Sequence, residues 1–407
     1  MTATEEPIKK SVPVCDVAVS LLTGGGDRPY ALGLARCLST LGTHIDFIGS
    51  DDLDLPELRA VPHLRFLNLR GSQREEVSFW KKALRIVRYY LRLGAYAATA
   101  KPKLFHILWN NRFELVDRTG LMVYYRLCGR RVVLTAHNIN ARKRDGSDSY
   151  LNRLSLKIQY GLCDHMFVHT AKMKQELKDD FGVPEAKVSV IPLGLNETVP
   201  TSDLTVTDAK RRVGIKQGEK AILFFGRIAP YKGLEYLIEA LRQLRGENGD
   251  YRLVIAGSIK GCDEYWETVE RRISDSGLDS QVLKTIRFIP DEETEIYFKA
   301  ADVLVLPYRE IFQSGVLVLS YSFGLPVIAA DVGSMVEDVV DGVTGFIFEK
   351  KNTKALADAL LAYFSSDLYR NLENNREKVQ AIARERFSWE TVGEITKSVY
   401  LRTLTSR

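Results

Sequence analysis

Apolar residues in this chain come in short, nearly unbroken runs rather than in alternation with polar ones. Residues 14–22, 44–49, 64–69, 105–109, 131–135, 164–169 and 187–192 form one such series. Residues 220–225, 251–256, 286–289, 303–306, 327–330 and 345–348 form a second. Runs of this kind suit strands buried on both faces, as in parallel sheets covered by helices. Between them lie segments with apolar residues at helical spacing, among them 29–41, 234–245, 353–363 and 367–387. Strands alternating with helices predict an α/β architecture. Residues 196–208 break the alternation with threonines, aspartates and Pro200, and read as a linker. The expected organisation is one α/β domain over 1–200, a second over 201–387, and a last amphipathic helix that Ser388 caps with Glu390 close behind.

The stretch 303–330 organises the second series. Its first strand ends at Pro307, and Gln313, Ser314 and Gly315 put small polar groups where a helix N-terminus needs them. Val316 begins the apolar helix that follows, Gly324 and Pro326 close it, and the next strand starts at Val327. The first N–H groups of a helix have no partner within it, so a helix start at the carboxyl edge of a sheet predicts an anion site. Two further loops follow strands. Gly24, Gly25 and Gly26 come directly after the first strand, the layout in which backbone approaches a phosphate or a sugar. The loop from Gly226 to Gly233 carries Arg227 and Lys232, two cations beside another predicted helix start. Together with the amides after Gln313 they predict a diphosphate cradle. His137 stands just past the strand 131–135, where open α/β sheets turn side chains toward a ligand crevice. His106, inside a strand pattern, is expected to be a hydrogen-bonded core residue.

Composition narrows the function classes. With 407 residues the chain can hold two cores, and 45% apolar with 27% charged residues is ordinary for a globular protein. A net charge of +5 is too mild for a dedicated nucleic-acid binder. Cys15, Cys37, Cys128, Cys163 and Cys262 are scattered without a Cys-x-x-Cys pair, so neither a zinc site nor a disulfide framework is indicated and a reducing cytoplasm fits. The first twelve residues lack a signal-peptide core, and no apolar run reaches the roughly 20 residues of a membrane span. One segment stands out. Residues 80–96 contain Lys81, Lys82, Arg85, Arg88 and Arg92 with no acidic residue, while Trp80, Leu84, Val87 and Leu91 recur at helical spacing on a neighbouring face. A basic amphipathic helix of this kind can lie on an anionic membrane.

The motifs resemble those of the family-four retaining glycosyltransferases of the GT-B fold over nearly the whole chain. The resemblance rests on Phe225-Gly226-Arg227 with Lys232-Gly233, on Glu239-Ala240, and on Ala301-Asp302 ahead of Leu306-Pro307. It continues through Gly324-Leu325-Pro326-Val327-Ile328-Ala329 with Asp331, Gly333, Glu337 and Gly345-Phe346. In the first half Gly24-Gly25-Gly26, Thr135-x-His137 and Ile191-Pro192-x-Gly194 match as well. The resemblance implies two Rossmann-like domains facing a cleft, with the last helix crossing back to the first domain. It implies a UDP- or GDP-sugar donor in the C-terminal domain, with Arg227 and Lys232 on the diphosphate, the Gly24 loop approaching it, and His137 beside the sugar. The acceptor side would be the N-terminal domain, and its basic helix suggests a glycan or lipid-linked acceptor at the inner membrane face. No metal or other cofactor is expected, because fixed cations and the helix N-terminus can stabilise the leaving diphosphate.

One departure from the family pattern matters. The family pairs two glutamates, yet eight residues after Glu310 stands Val318, and the usual second position falls at Leu319 or Ser320. The same register favours Ile311 or Phe312 for the first glutamate. Gln313 and Ser314 are therefore expected to take over polar contacts to the donor, and Glu337 remains a further candidate. Two alternatives follow. A non-catalytic GT-B-like binding subunit would fit the missing glutamate, whereas a nucleotide-sugar epimerase would need a carboxylate pair that Asp145 and Glu310 do not make.

Overall fold

Nearly every apolar run becomes a strand, and the strands assemble into two separate parallel sheets. The computed structural model describes residues 17–73, 79–111, 113–245 and 250–406; the polar start and Cys15 lie outside them. The first sheet comprises β1 (Ala18–Leu22), β2 (His44–Gly49), β3 (Leu64–Asn68), β4 (Leu104–Ile107), β5 (Arg131–Thr135), β6 (His165–Val168) and β7 (Val188–Val190). Its order is β3-β2-β1-β4-β5-β6-β7. The second comprises β8 (Lys220–Phe225), β9 (Tyr251–Gly257), β10 (Val282–Ile286), β11 (Val303–Leu306), β12 (Val327–Ala330) and β13 (Gly345–Phe348), in the order β10-β9-β8-β11-β12-β13. This is the expected architecture of two Rossmann-like parallel-sheet domains facing a cleft.

Strand order reverses beside β1 in one sheet and beside β8 in the other. Loops leaving the carboxyl ends of adjacent strands diverge at such a point and open a crevice. The loops after β1 and β4 therefore bound one crevice, and those after β8 and β11 bound the other. Asp302 explains why an acidic residue precedes the buried strand β11. Its carboxylate accepts the Ala221 N–H at 2.7 Å and pairs with Lys210 at 2.7 Å, tying the start of β8 to that of β11.

The chain crosses between domains twice, and the two crossings are bonded to each other. Leu195 N–H donates to the Phe387 carbonyl at 2.9 Å, and Trp389 Nε1 donates to the Leu195 carbonyl at 2.8 Å. After the second crossing the helix Trp389–Thr405 packs on the helix Arg28–Thr40 of the first domain. There Cys37 Sγ donates to the Trp389 carbonyl at 2.7 Å. Tyr400 Oη meets His106 Nδ1 at 2.5 Å, and His106 Nε2 meets Thr135 Oγ1 at 2.7 Å. His106 is thus the hydrogen-bonded core residue the pattern predicted, and burial pushes its pKa down to about 3.

Three elements differ from the sequence reading. The strand expected at 286–289 lies instead at β10, Val282–Ile286, because an edge strand needs only one buried face and so admits the exposed Lys284. The linker is shorter than expected: Thr205 accepts the Asp208 N–H at 3.1 Å and starts a helix at Val206. Residues 367–387 form two helices, Asp367–Arg370 and Leu372–Arg386, broken at Asn371.

Candidate functional site

The C-terminal side of the cleft is built around a buried lysine. After β8 the chain turns through Gly226 and Arg227 into a short turn, Pro230–Lys232. Gly233 follows with φ +65°, and a Cβ there would stand 2.1 Å from the Pro307 carbonyl oxygen. Only glycine permits that approach, which brings Lys232 against the loop after β11. Lys232 is 5% exposed, and its ammonium donates to the Phe225 carbonyl at 3.4 Å. It lies 5.2 Å from the centre of the Tyr308 ring, and its nitrogen would be 3.1 Å from a Cβ placed on Gly226. Burial pushes its pKa down to about 8, and repulsion from Arg227 works in the same direction. On the facing loop Ser314 caps the helix Gly315–Ser322 by accepting the Leu317 N–H at 3.3 Å. Gly315 and Val316 supply the first amides of that helix, and the Oε1 of Gln313 is buried with no hydrogen-bond partner. Lys232, Gln313, Ser314, Gly315 and Val316 line one pocket of 340 Å3, closed on its far side by Asp27, Tyr30, Asn196 and Trp389. A cation with no counter-ion among the described residues, beside an open helix start, is an arrangement that receives an anion.

The N-terminal side is an aromatic cluster at the ends of β1, β4, β5 and β6. His137 stacks on Trp109 with ring centroids 4.0 Å apart and planes 5° from parallel. Tyr30 presents its edge to His137 at 4.7 Å and also packs against Trp109, His169 and Trp389. Gly24 explains why the loop after β1 is glycine-rich: at φ +57°, a Cβ there would lie 2.1 Å from the Trp109 carbonyl oxygen. Gly25 and Gly26 complete the turn, pressed against Arg70 and the Trp109 ring respectively. His137 Nδ1 and His169 Nε2 are 3.1 Å apart, while His137 Nε2 is closed off from water without a hydrogen-bond partner. Burial holds His137 well below its ordinary pKa and pushes His169 down to about 4, so both rings are neutral near neutral pH. Beside them a pocket of 190 Å3 is lined by His137, Asn110, Glu114, Arg118, Asn152 and Gln159, among others. Amides, an imidazole and a guanidinium are groups that bind hydroxyls.

Two cradles at strand ends, one for an anion and one for hydroxyls, call for comparison with known proteins. The profile of the family described as "Glycosyltransferase Family 4" matches residues 24–199, and that of "Glycosyl transferases group 1" matches 206–386. The chain belongs to the family-four glycosyltransferases of the GT-B fold. A D-inositol 3-phosphate glycosyltransferase of Corynebacterium glutamicum is 26% identical over 92% of this chain and 91% of its own. Sucrose-phosphate synthase from Thermosynechococcus elongatus shares the fold with a TM-score of 0.72 at 21% identity, over 96% of this chain and 100% of its own. Anabaena HepE, solved with UDP and glucose, superposes with a TM-score of 0.72 at 19% identity, over 94% of this chain and 99% of its own.

The remaining candidates of this glycosyltransferase do not all converge. Arg227 is exposed, donates to the Lys260 carbonyl at 3.3 Å and does not line the Lys232 pocket. Glu310 is exposed in a different part of the cleft, in a pocket shared with Asn140, Lys143, Glu176 and Asp180. Glu337 is also exposed and lines a pocket with His169, Gln313, Ser314 and Arg386. Of the two positions expected for the family's second glutamate, Leu319 and Ser320, both are buried and Leu319 lines the Lys232 pocket. The sequence reading did not single out Trp109, Tyr30, His169 or Trp389. His169 and Trp109 were within reach, because both follow strand ends as His137 does; Tyr30 and Trp389 carry no such signal. Among the described residues no cluster of three metal-ligating side chains occurs, and no helix is long and apolar enough to cross a membrane.

Proposed function

We propose that this glycosyltransferase binds a nucleoside-diphosphate sugar of the UDP or GDP class and transfers the sugar, with retention at the anomeric carbon, to a glycan or lipid-linked acceptor. The observation that carries the reading is Lys232, a buried cation facing an open helix start in a pocket walled by both domains. A diphosphate would satisfy both. In the proposed reaction the anomeric C–O bond to the diphosphate breaks while the acceptor oxygen bonds on the same face. The acceptor proton passes to the departing diphosphate. Lys232 and the Gly315 and Val316 amides stabilise the charge that gathers there, Arg227, whose charge is felt at Lys232, adds a second cation, and His137 contacts the sugar. Closure of the cleft keeps water from competing as acceptor. A similar structure supports the donor class: HepE was solved with UDP and glucose.

Calorimetry with UDP, GDP, ADP and their sugars tests the reading. One nucleoside diphosphate class should bind the wild type, and Arg227→Ala should bind it more weakly. In Lys232→Met, binding should be lost and turnover should fall about 10²–10³-fold, as when one donor to a developing anion is removed. A folded protein that binds none of them overturns the proposal. Binding without turnover on any acceptor would favour a non-catalytic binding subunit, the reading that the apolar Leu319 position supports.

The acceptor is proposed to arrive from an anionic membrane surface, with the protein peripheral on it. The helix Phe79–Thr99 carries the five cations and no acidic residue, and exposes Trp80, Leu84, Val87 and Leu91 in one stripe. Its neighbours continue the apolar face. Tyr90 Oη donates to Asp117 at 3.0 Å and Tyr124 Oη to the Gly94 carbonyl at 3.1 Å, joining the helix to the segment that exposes Val116, Val123 and Leu127. Arg118 in turn donates to Asn152 at 2.9 Å, on the helix that exposes Tyr150 and Leu151. Glu114, Arg118 and Asn152 of these neighbours also wall the 190 Å3 pocket. Flotation should show binding to vesicles containing anionic lipid, reversed by salt. No binding at low salt would end this part of the proposal and leave the donor chemistry untouched.

A further inference from the structure

We infer that His169 is a positioning residue that fixes the proton of His137 on Nδ1, leaving on its Nε2 a bare lone pair that only a hydrogen-bond donor can satisfy. His169 Nδ1 faces the Ile191 carbonyl oxygen at 3.2 Å. A carbonyl oxygen only accepts, so Nδ1 of His169 carries a proton. A neutral His169 then has a bare Nε2, which can only accept from its neighbour. That neighbour is His137 Nδ1 at 3.1 Å, which must therefore carry the proton of His137. What remains is a lone pair on His137 Nε2, buried and without a partner. Neutrality of both rings is what makes the chain of donors one-directional, and the burial that lowers both pKa values secures it.

The surroundings hold this arrangement still. Trp109 lies flat on one face of His137 and the Tyr30 ring meets it edge-on, so the imidazole cannot turn without displacing two large aromatics. The consequence is a selection rule. His137 does not offer a proton to an oxyanion or a carbonyl, and favours a ligand group that can donate, as the hydroxyls of a sugar do. The identity of that hydroxyl as one on a transferred or accepting sugar rests on the proposed function; the tautomer does not.

The test is a long-range proton–nitrogen NMR spectrum of the full chain labelled with 15N at its six histidines. His137→Gln and His169→Gln assign the two rings. Near neutral pH the wild type should show both rings protonated on Nδ1 and bare on Nε2. In His169→Phe, which cannot accept, His137 should move toward the Nε2-protonated form, with turnover down about tenfold, on the scale of one lost neutral hydrogen bond. His169→Gln, whose amide oxygen can accept, should restore the Nδ1-protonated His137 and most of the turnover. A wild-type spectrum with His137 protonated on Nε2 overturns the inference, as does a His137 signal unchanged in His169→Phe. Should His169→Phe fail to fold, the wild-type spectrum alone decides. The predicted tautomers in a protein that transfers no sugar would leave the relay standing and overturn the transferase reading instead.

Discussion

A lysine enclosed by protein is a different reagent from one in water, and Lys232 makes the difference measurable. In the unfolded chain its pKa is 10.5, whereas burial lowers it to about 8 in the folded protein. Between those values the unfolded chain holds the proton more tightly, so this lysine makes stability rise with pH across that window. Lys232→Met should flatten that rise in denaturant titrations. Ligand binding moves the other way. A diphosphate needs the charged form, so nucleotide affinity should fall by about tenfold per pH unit above 8, unlike at an exposed lysine. Calorimetry at a series of pH values checks this, and a flat profile would place the diphosphate elsewhere. In the sequence Lys232 is visible as a cation in a glycine-bounded loop. Its burial is not, because the residues that cover it, Tyr308 among them, come from the loop after β11, a neighbour of β8 in the sheet but remote from it in sequence.

At the scale of elements, the helix Gly315–Ser322 matters through its first turn. Its body is apolar and buried, which anchors it under the cleft; its cap is a single hydroxyl, that of Ser314. Ser314→Ala should cost about 1 kcal/mol of stability and weaken nucleotide binding, because the first amides lose the geometry the cap imposes. Differential scanning calorimetry with and without nucleotide separates the two effects. Unchanged binding at reduced stability would confine Ser314 to a structural role. This helix was legible because capping residue, glycine stop and following proline all lie within a few positions of one another. The edge strand β10 was not, since most of its residues are only partly buried and its pattern carries the exposed Lys284. Helix Val206–Val213 was missed for a different reason: its first turn, Val206 to Asp208, continues the threonine- and aspartate-rich composition that reads as linker.

For the whole molecule the decisive feature is where the two domains are joined. Both crossings pass the same point and are pinned by Trp389, whose indole bonds Leu195 and packs against Gly33 and Gly194. The same side chain lines the Lys232 pocket and touches Tyr30, which touches His137. Hinge and site therefore share a residue. Trp389→Ala should loosen the angle between domains, seen as a larger and broader size distribution in small-angle scattering. It should also change kcat and KM together, as hinge residues do. A change in KM alone would mean that Trp389 acts only as pocket wall.

The sequence by itself determined the strands, most of the helices, the doubly repeated α/β plan and the loops that end at the cleft. These depend on burial pattern, caps and turn residues, all of which act over a few neighbouring positions. It also marked His137, Arg227, Lys232 and the Gln313–Val316 turn as candidates for the chemistry. Only the tertiary structure decided which of them meet. Lys232 and Val316 share a wall because Gly233 lets two loops touch, whereas Glu310 and Arg227 stand apart from it. The tautomer of His137 was decided at the same level. It depends on a histidine from the next strand and a carbonyl beyond the one after, and no local pattern encodes a hydrogen bond between residues that packing alone brings together.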